Sequence, residues 1–362
     1  MSNNRIEWLD LVRGLAAIIV VLFHFQGYLG IRGLDFGFLA VQVFFILSGI
    51  VLSVKYTDAI EGGMTFAQFA GIRLRRLYPM VFVAGCFILA MNAAHVAPAF
   101  HQSDRYAWLV FLVLPLPSHW PAAQAFPADG PMWSLWAELV ANAVWFAVIR
   151  LGRRWMPWFG GAAFLLLLLL TLHHKTLGDG WQQSASMLTF AVVSALAWFS
   201  VGYAIGTSRS APVARPPILL AGFVAVLVLL QRGTSHPWMV ELVAVLISAL
   251  LLHALLHAPR PPRSVARLAL GLGALSYPLY LIHLPAGRLL QVVDVAMPHW
   301  AAFVLVIGLA AAGATWLNEW VVDHLRKARR RPSRLVEGVD AGSAQAAGAT
   351  PVPTPSVANG VV

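Results

Sequence analysis

Charge is scarce in this sequence. Aspartate, glutamate, lysine and arginine make up 11% of its 362 residues, while 59% are hydrophobic. Soluble domains carry roughly 25% charged residues, so an ordinary water-soluble fold is excluded. Cysteine is scarcer still. The single copy, Cys86, rules out a disulfide within the chain and any cysteine-rich zinc or iron–sulfur site. A glycine-rich phosphate loop, a Gly-x-Ser-x-Gly nucleophile elbow and a His-Glu-x-x-His metalloprotease helix are also missing. No small-x-small cleavage site follows the first apolar stretch, which therefore reads as an uncleaved membrane helix. No internal repeat of the kind that builds symmetric transporters is visible.

Long apolar runs dominate what is present. The mean hydropathy is +0.73, and stretches such as 11–28, 37–54, 188–205 and 301–322 approach the roughly 20 apolar residues that a bilayer crossing needs. The pattern predicts an all-α polytopic membrane protein. Its helices are expected at 8–28, 37–56, 78–96, 131–150, 158–172, 187–205, 217–230, 238–257, 268–290 and 299–322. That makes about ten crossings. A re-entrant or interfacial segment at 107–116 lies beside five prolines, and a basic amphipathic helix at 65–76 opens on a Thr65–Gln68 capping box and lies on the inner surface. Pro131 suits the first turn of the helix it begins.

The net charge of +10 does not point to nucleic acid, because the basic residues sit in short clusters between the apolar runs. With both termini cytoplasmic, only Arg32, Arg105, Lys175, Arg232 and Arg288 of the 25 lysines and arginines fall outside, and Arg13 lies within the membrane. The rest obey the positive-inside rule. Two domains follow: an integral-membrane domain over 1–330, and a disordered cytoplasmic tail over 331–362 rich in Ala, Gly, Pro, Ser and Thr.

Ionisable side chains at membrane depth are costly and so are candidates for function. Arg13 and His24 lie eleven residues apart, which puts them on one face of a helix about 16 Å apart. Asp10, one turn before Arg13, is its expected partner. By residue counting His24 and Glu138 reach matching depth near the outer surface, with arginines at graded depth below. A histidine can serve as general base, a carboxylate can orient it, and arginine forks suit phosphates. Each also has a plain structural reading: Arg13 can snorkel, His24 can bond between helices, and Glu138 can neutralise a lining donor. The i,i+4 pair His253 and His257 lacks a third metal ligand and reads as an interfacial anchor. For His283, behind Pro278, function and packing are equally open. No metal site is expected.

Five motifs in order carry a resemblance. They are Leu9-Asp10-Leu-Val-Arg13-Gly14 with His24 ten residues on; Ala40-Val-Gln-Val-Phe-Phe-Ile-Leu-Ser48-Gly49; Arg73-Leu-Arg-Arg76-Leu-Tyr-Pro79; Trp133-Ser134-Leu-Trp-Ala-Glu138; and Leu275-Ser-Tyr277-Pro-Leu-Tyr280-Leu-Ile-His283. Over roughly residues 5–325 the sequence resembles membrane acyltransferase family three, the bacterial O-acyltransferases of surface glycans and some antibiotics. Gln42 stands where many members carry aspartate, so no carboxylate role passes to it. Some members append an SGNH hydrolase-like domain, for which this chain leaves no room.

The resemblance implies transfer of an acyl group, most simply acetyl, from cytoplasmic acyl-CoA to a hydroxyl of a surface or lipid-linked polysaccharide at the outer side of the bacterial inner membrane. It assigns His24 as general base supported by Glu138, and Arg13, Arg73 and Arg76 to acyl-CoA, the last two at the inner surface. Asp10, Ser48, Ser134, Tyr277 and His283 support them. Acetyl-CoA is then a donor substrate, and no cofactor is held permanently. Partners are the donor, the glycan or lipid-linked oligosaccharide, and membrane lipids, with room for a second copy or a polysaccharide-assembly protein. A transporter or flippase for a polyprenyl-linked glycan, an acyltransferase of a small molecule such as a macrolide, and a non-catalytic scaffold remain open.

Overall fold

A computed structural model describes residues 7–35, 37–94, 130–177, 185–208, 216–229, 238–292 and 297–330. Among them are helices and turns and no strand. The helices are α1 (Glu7–Leu29), α2 (Leu39–Glu61), α3 (Phe66–Ala93), α4 (Met132–Leu151), α5 (Met156–His174), α6 (Ala185–Thr207), α7 (Pro216–Leu229), α8 (Trp238–Leu256), α9 (Arg263–Val292) and α10 (His299–Arg330). Residues up to Asn318 form one compact unit. A second unit begins at Glu319, and its described part is the helical end reaching Arg330.

Nine of these helices, all but α7, are long and apolar enough to cross a bilayer, and the protein is a multi-pass membrane protein. Among the described residues α7 has 14, a rise of about 21 Å against a hydrocarbon core of about 30 Å, and falls short of that length. The segment 107–116 and the tail from 331 lie outside the described residues. A second difference concerns residues 65–76. The capping box forms as expected, with the Thr65 N–H donating to Gln68 Oε1 at 2.9 Å and the Gln68 N–H to Thr65 Oγ1 at 3.3 Å. But the helix it opens does not end at Arg76. It continues through Pro79 to Ala93 as one helix of 28 residues, so the basic stretch is the first half of α3 and not a separate surface helix. Proline removes one intrahelical donor, and the packed apolar residues after it, Met80, Val81, Val83 and Ala84, keep the helix going.

Two helix pairs organise the packing. α1 lies along α9, tied by the Trp8 indole N–H donating to the Pro259 carbonyl at 2.7 Å. α2 lies along α6, which α4 and α5 also cover, while α3 meets α4 and α9. Lipid tails give helices no hydrophobic drive to associate with each other, so close backbone approach through small residues matters more than in water. At the α2–α6 crossing a Cβ on Gly202 would strike the Ile46 carbonyl oxygen and lie 2.9 Å from the Gly49 Cα. The outer flanks show the opposite character. Leu165, Leu166 and Leu169 of α5 and Trp300, Val304 and Leu309 of α10 are exposed, as an acyl-chain boundary requires.

Two polar residues buried in this apolar bundle are pinned where the chain leaves α5. Gln42 on α2 donates to the Leu177 carbonyl at 3.3 Å and accepts from Ser194 of α6 at 2.8 Å. The Glu241 carboxylate of α8 accepts the Leu177 N–H at 2.5 Å and the Thr176 hydroxyl at 3.1 Å. The chain leaving α5 is thereby held from both sides.

The α2–α6 contact gives a direct test. Gly202→Val overpacks the crossing, which typically costs about 1–3 kcal/mol, and lowers the melting temperature of the purified protein. Gly161→Ala, where a Cβ would meet nothing within 4 Å, leaves it unchanged. Equal melting of the Gly202 variant and wild type would mean that the two helices do not touch.

Candidate functional site

The α1–α9 pair brings two histidines together. His24 Nδ1 lies 2.8 Å from the Val20 carbonyl oxygen, one turn earlier. A carbonyl only accepts, so the His24 hydrogen is assigned to Nδ1. His283 Nδ1 is likewise 3.1 Å from the Leu279 carbonyl, which places its hydrogen at Nδ1 and bares Nε2. That bare nitrogen is 3.3 Å from His24 Nδ1. The single His24 N–H is thus shared between a carbonyl and an imidazole, and His24 Nε2 keeps its lone pair. His283 is 0% exposed, whereas His24 is open. Phe23 packs edge-on against His24, and Tyr280 and Phe25 flank His283.

Lower on the same helix pair, Arg13 pairs with Asp10 at 2.8 Å, the partner expected from spacing. Its Nη2 also donates to the Gly273 carbonyl at 2.8 Å and its Nε to Ser276 Oγ at 3.0 Å. Arg13 is therefore fixed across to α9 and does not snorkel freely. Glycine is needed at 273, because a Cβ there would lie 2.8 Å from the Asp10 Cβ and 3.1 Å from Arg13 Nη2.

Glu138 belongs to a different cluster. Its Oε1 accepts from Arg73 Nη2 at 2.7 Å and from Ser48 Oγ at 2.9 Å, which joins α4, α3 and α2. Two expectations are corrected here. Glu138 does not support His24: its carboxylate is taken by Arg73 and Ser48, and the neighbour of His24 is His283. Nor does Arg73 sit at a surface. It is 4% exposed, because the continuous α3 carries it into the bundle, where the carboxylate neutralises it. Arg76 is exposed.

The remaining expected residues tie α9 to its neighbours. Tyr277 donates to the Leu77 carbonyl of α3 at 2.9 Å, and Ser134 of α4 and the Tyr280 hydroxyl lie 2.6 Å apart. Sequence reasoning passed over Ser276 and set Tyr280 aside. Tyr280 lies three residues from both Tyr277 and His283, and Ser276 lies four before Tyr280, a spacing that was the signal that could have found them. Among the described residues no three histidine, cysteine or acidic side chains converge as metal ligands. His253 and His257 both approach Ser208 Oγ, at 3.2 and 3.4 Å.

What the α1–α9 arrangement can do is accept a proton. An open imidazole nitrogen, oriented by a buried acceptor behind the ring, is the geometry of a general base.

The sequence profile described as "Acyltransferase domain", of acyltransferase family three, matches residues 6–319. A stretch of 160 residues is 34% identical to "Protein 2 in picA locus" of Rhizobium radiobacter, covering 39% of this chain and 81% of that protein. No solved structure matches.

The buried ion pair is open to a stability test. Removing one member of such a pair leaves an uncompensated charge and costs about 3–5 kcal/mol, whereas replacing both by apolar groups is often neutral. Glu138→Gln is expected to lower the melting temperature sharply and the Arg73→Met/Glu138→Leu double variant to recover most of it. A single variant that melts like wild type would mean the pair is hydrated.

Proposed function

The chain belongs to membrane acyltransferase family three, and from that premise we propose that it moves an acyl group, acetyl in the simplest case, from acyl-CoA to a hydroxyl of a surface or lipid-linked polysaccharide. The proposed seat is the bacterial inner membrane, with the donor on the cytoplasmic side and the acceptor on the outer side. The observation that carries the reading is the His24 tautomer: Nδ1 is committed, so Nε2 is basic and open.

In this reading His24 Nε2 takes the proton of the acceptor hydroxyl as its oxygen attacks the thioester carbonyl. The resulting imidazolium shares its Nδ1–H with the Val20 carbonyl and with His283 Nε2, both electron-rich. When the carbon–sulfur bond breaks, the departing sulfur receives that proton from His24 Nε2, and ester and free thiol result. His283 acts here as a positioning residue, filling the place that an aspartate occupies behind many catalytic histidines. Arg13, fixed by Asp10 and Ser276, lies about three turns along α1 and is suited to steering the donor. Exposed Arg76 is suited to its phosphates. Arg73 acts from inside the bundle rather than from its surface.

General base catalysis contributes about 10²–10⁴-fold, so His24→Ala should lower ester-linked acyl groups on surface glycans by at least about 100-fold at matched membrane levels. His283→Gln, whose amide oxygen can still accept from His24 Nδ1–H, should retain more turnover than His283→Leu, with kcat changed and the donor KM nearly constant. Undiminished esters in His24→Ala would remove His24 from the mechanism. Equal turnover in the two His283 variants would reduce that residue to packing. Transport that survives the loss of His24, with no esters in either strain, would overturn acyl transfer altogether.

A further inference from the structure

Ser134, Glu138, Asn142 and Trp145 follow one another on a single face of α4. Their spacing keeps them within about 80° around the helix and spreads them over about 16 Å along it. A membrane helix would ordinarily fill such a buried stripe with aliphatic side chains. Here it is polar at every turn, although Asn142 is 3% and Trp145 1% exposed.

The two ends of the stripe differ. Ser134 is satisfied by Tyr280, and Glu138 by Arg73 and Ser48. The next two residues are not satisfied. Asn142 donates to the Glu138 carbonyl at 2.8 Å, but its Oδ1 accepts from no donor, and the Trp145 indole N–H has no acceptor. Across from them on α3, Arg73 holds Glu138 through Nη2 while its buried Nε–H also lacks a partner. Phe69, one turn before Arg73, packs against Trp145 with ring centres 6.2 Å apart, and Tyr203 of α6 lies on Trp145 at 6.3 Å. The orphaned atoms therefore belong to one sector between α3, α4 and α6.

A buried group left unsatisfied is costly, and native proteins keep few of them. Two donors and one acceptor, ranged along a buried sector with aromatic neighbours, match a ligand that is mostly hydrocarbon and carries amides at intervals. They do not match a sugar, which would bring many hydroxyls, or a lipid tail, which would bring none. The pantetheine arm of an acyl donor has that composition: two secondary amides on an otherwise apolar chain that ends in the thioester. We propose that this ladder is the track for the pantetheine arm, with Asn142 Oδ1 accepting an amide N–H and Trp145 Nε1 and Arg73 Nε donating to amide carbonyls. The proposal rests on the acyl-donor reading above. Coenzyme A and an acyl carrier protein both present this arm, so the shared chemistry is the pantetheine itself.

The test measures equilibrium binding of radiolabelled acetyl-CoA to the full chain in nanodiscs, with competition by pantetheine and, separately, by adenosine bisphosphate, which lacks amides. Trp145→Phe and Asn142→Leu should each weaken acetyl-CoA and pantetheine about tenfold, the effect of one such hydrogen bond, while adenosine bisphosphate competes as before. Trp198→Phe, which deletes another buried orphan N–H packed against Phe164 of α5, should change nothing. Unaltered binding in both ladder variants would overturn the track, as would an equal loss in Trp198→Phe. A wild-type chain that binds pantetheine and an acetylated acyl carrier protein but not acetyl-CoA would keep the track and change the donor. A wild-type chain that binds none of these would overturn the donor reading itself, and the track with it.

Discussion

A single constraint shapes this molecule: charge inside a bundle with a lipid boundary must be neutralised by charge or by oriented dipoles. Arg73 and Glu138 meet it together, 2.7 Å apart, with Ser48 as third member. Either one left without the other would be a buried, uncompensated charge, at a penalty of several kcal/mol. The pair therefore fixes where α3 and α4 meet and how deep each enters, and the Ser48 hydroxyl adds α2 to the agreement. Arg13 meets the same constraint with one aspartate, one serine hydroxyl and the Gly273 carbonyl, and it fixes α1 against α9 in the same way.

The fold was largely legible because this constraint writes itself into composition. Apolar runs separated by arginine clusters mark membrane crossings, and most expected helices lie within a few residues of those observed. The capping box at Thr65 and the Asp10–Arg13 pair were readable because they are local, each spanning three residues. One error was also local in origin. The basic residues Arg73, Arg75 and Arg76 suggested a separate surface helix, yet α3 runs on through Pro79 to Ala93.

The site was legible as a set of residues but not as a set of pairs. Arg13, His24, Glu138 and His283 stood out as ionisable groups in apolar runs, and Arg73 as a member of a basic cluster. Matching depth then suggested joining His24 to Glu138. Depth is one coordinate, however, and pairing also needs the position around the bundle, which depends on which helices are neighbours. That is a long-range property, and α1 lies along α9 rather than beside α4. The same limit hid Asn142 and Trp145, which look unremarkable in sequence and become informative only once their hydrogen-bonding atoms are buried without partners.

α9 explains how these separate clusters become one machine. Gly273 and Ser276 hold Arg13, Tyr277 reaches the Leu77 carbonyl on α3, Tyr280 meets Ser134 on α4, and His283 backs His24. These five positions fall within about 120° around the helix, so a single face of one helix touches α1, α3 and α4 in turn. A rotation of α9 large enough to loosen His283 from His24 would also strain the tyrosine bonds that seat α3 and α4. The orientation of His24 is therefore set by the same helix that seats α3 and α4. His24 and the buried charge pair do not touch, yet both are registered against the eleven residues of α9 from Gly273 to His283.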